Sequence, residues 1–138
     1  MGFFDTIFGK KTPGRGGEEQ DKRKKGPEWI PLTSEGQLDE IVQESASTAV
    51  IIFKHSTRCG ISRMAYRNFE SDWDTTVDGI KLYYLDLLAY RQVSNAVASR
   101  FGIAHESPQL LLLKDGKVVY HTSHGNITAQ NVFQALER

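Results

Sequence analysis

AVIIFKHSTRCGISRMAYRNF, residues 49–69, runs from an apolar segment into a mixed segment through Cys59, the only cysteine of the chain. Residues 49–53 are uncharged and rich in β-branched side chains, as in a buried strand. Directly after Cys59, apolar side chains recur at helical spacing, at Ile61, Met64, Ala65 and Phe69. The stretch therefore predicts a strand that enters a helix, with Cys59 at the junction.

The rest of the chain alternates between the same two hydrophobic patterns. Ser34 and Gln37 form a capping-box pattern ahead of a helix whose apolar face carries Leu38, Ile41 and Val42. Further strands are predicted at residues 29–32, 80–85, 110–113 and 118–121, and the last two flank an Asp115-Gly116 hairpin turn. Two more helices carry Val93, Ala96, Val97 and Phe101 before Gly102, and Ala129, Val132, Phe133 and Leu136 after a Thr128 cap.

The predicted order is β-α-β-α-β-α-β-β-α. Strand–helix–strand units give parallel neighbours with right-handed crossovers, and the last hairpin adds an antiparallel pair. The succession resembles the thioredoxin-like plan, an α/β fold in which a three-layer α/β/α sandwich encloses a mixed central sheet.

Length, charge and cysteine content narrow the functional classes. The 138 residues suit one domain, which we place at residues 28–138, behind a flexible charged tail at residues 1–27 that is rich in glycine. Basic and acidic residues balance at 17 each, which gives no reason to expect nucleic acid as a partner. A single cysteine excludes an internal disulfide, and no apolar run is long enough for a signal peptide or a transmembrane segment. We therefore expect a cytoplasmic protein.

The predicted position of Cys59 favours a reactive thiolate. The N-terminus of a helix carries partial positive charge and unpaired N–H groups, which stabilise an anionic sulfur. We expect Thr57 to be the N-cap, Arg58 to add positive charge, and the N–H groups of Ile61 and Ser62, with the Ser62 hydroxyl, to face the sulfur. The alternative is a buried structural cysteine. The polar flanks favour the nucleophile.

Two further features bear on the site. Ser107-Pro108-Gln109 precedes an apolar strand, so Pro108 must stand at the entrance of that strand. His105, just before it, is either a group near Cys59 or a solvated loop residue. His121 and His124 are spaced as a possible metal pair, but no thiol or carboxylate cluster accompanies them, and we expect no metal site.

Three motifs together resemble the monothiol bacilliredoxins: KHSTRCGIS at residues 54–62, HESPQ at residues 105–109 and HTSHGNIT at residues 121–128. The resemblance implies a thioredoxin-like enzyme that removes bacillithiol, a small thiol, from oxidised protein cysteines. Cys59 would take the bacillithiol, and Ser62 stands where dithiol relatives have a second cysteine, so another small thiol must complete the cycle. Around Cys59 we predict substrate-binding roles for Thr57, Arg58, Gly60, Ile61, Ser62, His105, Ser107 and Pro108, with bacillithiol as co-substrate and no resident cofactor.

Two alternatives remain. Cys-Gly-Ile-Ser also resembles the Cys-Gly-Phe-Ser signature of monothiol glutaredoxins, which implies an iron–sulfur carrier, although Ile61 replaces the phenylalanine. SHGNIT, which follows the hairpin, also lacks the Gly-Gly-x-Asp segment that holds glutathione in that family. The second alternative is a non-catalytic thioredoxin-like interaction module whose cysteine is incidental.

Overall fold

A computed structural model describes residues 27–137, so the predicted tail lies almost entirely outside the described residues. The strands are β1 (Trp29–Pro31), β2 (Ala49–His55), β3 (Ile80–Asp86), β4 (Gln109–Lys114) and β5 (Lys117–Ser123). The helices are α1 (Gly36–Glu44), α2 (Gly60–Asp72), α3 (Arg91–Phe101) and α4 (Ala129–Leu136), and a 3₁₀ turn (His124–Asn126) precedes α4. No helix in this part of the chain is long and apolar enough to cross a membrane.

The five strands form one mixed sheet in the order β1-β3-β2-β4-β5. β1 and β2 each pair with β3 in parallel, whereas β2–β4 and β4–β5 are antiparallel. The central strand β2 is therefore hydrogen-bonded on both sides. Its carboxyl end lies beside the end of β3, where His55 pairs with Asp86, and beside the start of β4, where Lys54 pairs with Gln109.

Alternate residues of the strands face two separate apolar cores. Val50 and Ile52 pack with Leu38 of α1 and with Val93 and Val97 of α3 on one face. On the other face, α2 and α4 cover the sheet with side chains that include Ile51, Phe53, Phe69, Trp73 and Val132. The fold is thus an α/β three-layer sandwich with a mixed sheet, as the sequence predicted.

Several local predictions are confirmed. Asp115 and Gly116 form the hairpin turn, both with positive φ, and Gly102 ends α3 in the left-handed conformation. The hydroxyl of Thr128 caps α4 by accepting a hydrogen bond from the N–H of Asn131.

The capping box of α1 forms only in part. The side chain of Gln37 accepts a hydrogen bond from the N–H of Ser34 (3.0 Å), as a capping box requires. The helix, however, begins at Gly36, and Glu35 at the N-cap makes no side-chain cap.

The helix predicted after Cys59 is confirmed, but the apolar side chains of its first two turns are exposed. Ile61 and Met64 are 69% and 65% exposed, whereas Phe69 is fully buried. The first turn instead buries Ser62, because the helix begins at a polar end of the sheet. Helical spacing alone does not distinguish a core face from an exposed apolar patch.

Aromatic rings hold the middle of α2 against the sheet. The ring of Phe69 lies 5.5 Å from Phe53 of β2, 6.0 Å from Trp29 of β1 and 5.4 Å from Trp73. Trp29 also donates a hydrogen bond from Nε1 to Glu70 (2.8 Å). Large rings at such separations add about 0.5–1.5 kcal/mol per pair to their burial.

We expect Phe69→Ala to lower the free energy of unfolding by about 3–5 kcal/mol, because it opens a cavity in this cluster. Met64→Ala, on the same helix and the same predicted face, is the matched control and should change stability by less than about 0.5 kcal/mol. Denaturant melts of both variants measure the difference. Equal losses would contradict the burial pattern of α2.

Candidate active site

Cys59 is exposed and stands between the end of β2 and the start of α2. The N–H of Cys59 closes a turn to the carbonyl of Ser56 (3.3 Å), and its own carbonyl accepts the first helical hydrogen bond, from Arg63 (3.0 Å). The sulfur is therefore carried on a short turn between two regular elements and is open to solvent. Exposure rules out the alternative of a buried structural cysteine.

The N-cap differs from the prediction. Cys59 itself occupies the N-cap position in an extended conformation, and Thr57 lies two residues outside the helix. The side chain of Cys59 accepts no hydrogen bond from the first turn, so the expected contacts from Ile61 and Ser62 are absent among the described residues. The carbonyl of Thr57 is instead engaged by Nη1 of Arg63 (3.3 Å).

Ser62 lies beneath the turn rather than beside the sulfur. It is fully buried, and its Oγ accepts a hydrogen bond from the N–H of Ser56 (3.0 Å) and lies 3.2 Å from Nδ1 of His55. An oxygen that accepts from Ser56 has its proton free for Nδ1, which fits a neutral imidazole. The Ser62 hydroxyl therefore ties the helix to β2, and its predicted role in substrate binding stays a prediction.

His55 is the other buried polar residue of this junction. Its ring stacks on Tyr66 of α2 at 4.9 Å, and its carbonyl accepts a hydrogen bond from the N–H of Leu87 (3.1 Å). Burial lowers the pKa of His55, and the positive charge of Arg63 acts in the same direction, against the opposing effect of Asp86. A neutral His55 therefore links β2, α2 and the end of β3 directly behind Cys59.

The proline segment stands at the entrance of β4, as predicted. The Ser107–Pro108 peptide bond is cis, Pro108 is buried and Ser107 is half-buried. The carbonyl of Pro108 accepts a hydrogen bond from the N–H of His124 (3.1 Å). Because β4 neighbours β2, this segment and the Cys59 turn share one end of the sheet.

His105 packs toward α3. Its Nδ1 lies 3.5 Å from Oγ of Ser94, and burial lowers its pKa, with the charges of Lys54 and Arg91 acting in the same direction. Its side-chain partner, Ser94, belongs to α3. Among residues 27–137, no group of three or more metal-ligating side chains is assembled.

Sequence reasoning missed a buried polar pair at this end of the sheet. Lys54 and Gln109 are opposite each other on β2 and β4, and both are buried. Nζ of Lys54 and Oε1 of Gln109 lack hydrogen-bond partners, the two such buried side-chain atoms in the described part of the chain. Burial lowers the pKa of Lys54 to about 8. The KHS sequence gives no sign of this burial, because it depends on packing with β4.

Two concave surfaces flank Cys59. One, the Asp86 crevice, has a volume of about 440 Å³ and is lined by Thr57, Arg58, Asp86, Leu88 and Ala89. The other, the Met64 groove, has a volume of about 260 Å³ and is lined by Ile61, Met64, Ala65, Asn68, Asp72, His124, Gly125, Ile127 and Thr128. Arg58 precedes Cys59 and Ile61 follows Gly60, so the nucleophile candidate lies between the two surfaces in the chain. Gly60 leaves open space where a side chain would project.

Solved structures share this fold. A protein described as an oxidoreductase with a thioredoxin fold is 30% identical, with a TM-score of 0.69 over 78% of this chain and 93% of its own. Thioredoxin from Trypanosoma brucei brucei, at 17% identity, has a TM-score of 0.62 over 83% of this chain and 93% of its own. Thioredoxin from Malassezia sympodialis, at 19% identity, has a TM-score of 0.60 over 81% and 90%. The fold and the exposed cysteine at its helix N-terminus define a thioredoxin-fold thiol oxidoreductase.

A match to a family model narrows the assignment within the class of thioredoxin-fold thiol oxidoreductases. The model of the monothiol bacilliredoxin BrxC family matches residues 30–132. The match covers most of the chain, which therefore belongs to the monothiol bacilliredoxin family. The family resemblance inferred from the three sequence motifs is thus confirmed.

We expect Lys54→Met to raise the free energy of unfolding at pH 7 by about 1–3 kcal/mol, because an apolar side chain replaces a buried amine without a partner. The folded wild type releases the Lys54 proton near pH 8, whereas the unfolded chain holds it to about pH 10.4. The unfolded state therefore binds more protons than the folded state between about pH 8 and about pH 10.4. As pH rises through this range, the free energy of unfolding of wild type should increase relative to that of Lys54→Met.

Denaturant melts at several pH values between 7 and 10.5 measure this difference. Lys117→Met, at an exposed position of β5, is the matched control and should show no such trend. A constant difference between wild type and Lys54→Met across the whole pH range would contradict the burial of the Lys54 amine.

Proposed function

We propose that this protein removes bacillithiol from oxidised protein cysteines, with Cys59 as the single nucleophile. The observation that carries the proposal is an exposed Cys59, the only cysteine of the chain, at the N-terminus of α2 in a monothiol bacilliredoxin. Two concave surfaces, lined by residues before and after Cys59 in the chain, support the proposal.

The first step is a thiol–disulfide exchange. The Cys59 thiolate attacks the bacillithiol sulfur of the mixed disulfide, and that S–S bond breaks as the new one forms. The client cysteine leaves as a thiolate with the electron pair of the broken bond and takes a proton from solvent. Cys59 then carries the bacillithiol as a mixed disulfide, so Cys59 is oxidised as the client cysteine is reduced and the number of disulfide bonds stays the same.

The second step needs a thiol from outside the chain. Ser62 occupies the position of the second cysteine of dithiol relatives, and its oxygen cannot form a disulfide. A second bacillithiol, as thiolate, attacks the bacillithiol sulfur on Cys59, releases the Cys59 thiolate and forms a bacillithiol disulfide. Bacillithiol is therefore a co-substrate, and the proposed cycle needs no resident cofactor.

The predicted substrate-binding residues differ in surface exposure. Thr57, Arg58, Gly60 and Ile61 surround Cys59 and are exposed, so they are available to either half of the mixed disulfide. We assign the client to the Met64 groove, because its exposed apolar side chains suit a protein surface. Ser107 and Pro108 border the same end of the sheet. His105 is exposed and lies 3.5 Å from Ser94, and its substrate-binding role stays part of the proposal.

A reducing compartment suits this chemistry. Cytosolic thiols are held reduced by small thiols, so both the lone Cys59 and the regenerating bacillithiol would be available there. We therefore propose a cytoplasmic location, with bacillithiolated client proteins as partners. The balanced charge gives nucleic acid no role in the proposal.

The test is a side-by-side assay with one client protein that carries either bacillithiol or glutathione on the same cysteine. We expect wild type to release bacillithiol faster than glutathione, and Cys59→Ser to fall to the uncatalysed rate because it has no thiolate. Intact-protein mass spectrometry measures the client adduct with time. Ser71→Ala, an exposed hydroxyl on the same helix, is the control and should keep wild-type rates.

Three results would contradict the proposal. Equal or faster release of glutathione, with visible colour in the purified protein, would favour the iron–sulfur carrier of the glutaredoxin type. Release of neither adduct by folded wild type would leave a non-catalytic interaction module. Full activity of Cys59→Ser would remove Cys59 from the mechanism.

A further inference from the structure

The Asp86 crevice lies where two neighbouring parallel strands send the chain to opposite faces of the sheet. After β2 the chain enters α2, which packs on one face with Phe53 and Phe69. After β3 it enters α3, which packs on the other face through Val93 and Val97. The chain segments that follow the paired ends of β2 and β3 therefore diverge, and ligands of open α/β sheets bind in crevices of this kind.

The walls of the crevice carry one cation and one anion. Arg58 is exposed, and no carboxylate of residues 27–137 lies within ion-pairing distance of it. Asp86 accepts hydrogen bonds at Oδ1 from the N–H groups of Leu88 (3.1 Å) and Ala89 (3.4 Å). These bonds fix the carboxylate in a turn, and Oδ2 of Asp86 makes no hydrogen bond to residues 27–137.

The rest of the lining suits a small organic molecule. Leu88 is 40% exposed and supplies an apolar surface, together with the methyl group of Ala89 and the side chain of Thr57. The volume of about 440 Å³ lies in the range of small-molecule sites and is too small for a folded client. Arg58, one of the lining residues, directly precedes Cys59 in the chain.

We propose that the Asp86 crevice binds the small-thiol half of the mixed disulfide as a zwitterion, with Arg58 on its carboxylate and Asp86 on its ammonium group. The inference rests on the proposed function, because it takes the Cys59 sulfur as the attacking atom. It adds the class of small thiol that the crevice binds, one with both a carboxylate and an ammonium group. A thiol with both charges fits both walls. A thiol with one charge leaves either Arg58 or Asp86 without a partner. A neutral thiol leaves both residues without a partner.

This assignment also orients the exchange. With the small thiol in the Asp86 crevice and the client over the Met64 groove, the attacked sulfur lies between Cys59 and the client sulfur. The product of attack then keeps the small thiol in its crevice as the Cys59 adduct, while the client leaves from the other side. The next thiol reaches the same adduct once the client has gone.

The test uses one client protein carrying four simple adducts on the same cysteine. Cysteine has both charges, N-acetylcysteine has the carboxylate only, cysteamine has the ammonium only, and 2-mercaptoethanol has neither. Removal rates are measured for wild type, Asp86→Asn, Arg58→Gln and the control Lys117→Gln on β5. Rate ratios between adducts are compared across variants, so that intrinsic differences in disulfide reactivity cancel.

We expect Asp86→Asn to reduce the preference for cysteine over N-acetylcysteine by about threefold to tenfold, and Arg58→Gln to reduce that for cysteine over cysteamine to a similar extent. Lys117→Gln should leave every ratio at its wild-type value. A general effect of either substitution on the Cys59 thiolate would lower all four rates together and leave the ratios unchanged.

Unchanged ratios in both variants, with wild type active, would overturn this inference and leave the proposed function in place. A folded wild type that removes none of the four adducts, nor the bacillithiol adduct, would overturn the proposed function and the inference with it. A shift in only one ratio would overturn the zwitterion assignment and reduce the crevice to a site for one charge.

Discussion

The buried contact between Ser62 and the end of β2 helps to determine where the Cys59 sulfur lies. Oγ of Ser62 bonds the N–H of Ser56 and meets Nδ1 of His55, so the first turn of α2 is fixed to the central strand of the sheet. Cys59 stands on the short link between those two anchors. Without that contact, α2 would be held to the sheet mainly by the aromatic cluster further along the helix, and its first turn would lose its buried tie to β2.

The two ends of the sheet differ in composition, and this difference separates stability from function. Toward the hairpin turn, strand residues such as Val50 and Leu113 pack in apolar cores. At the opposite end the same strands bury Lys54, His55 and Gln109, and two of their polar atoms lack partners. Buried polar groups of this kind cost stability. Natural sequences tend to have such destabilising groups at functional sites.

Much of the fold was predictable, because its signals are local. The apolar run of residues 49–53, the Asp115-Gly116 turn, Gly102 after α3 and the Thr128 cap each act within a few residues. At the candidate site, the positions of Cys59 before α2 and of Pro108 before β4 were predictable. Burial of Ser62 and Lys54 depends on strands distant in sequence, Ile61 and Met64 face solvent despite their helical spacing, and Asp86 joins the site only because β3 neighbours β2.

The most direct measurement is the mass of the protein after a single turnover without any regenerating thiol. Wild type is mixed with an excess of bacillithiolated client, quenched with acid and analysed as intact protein. We expect the protein to gain the mass of one bacillithiol at Cys59 as one client cysteine is freed. A covalent complex between Cys59 and the client would contradict it, because the attack would then fall on the client sulfur.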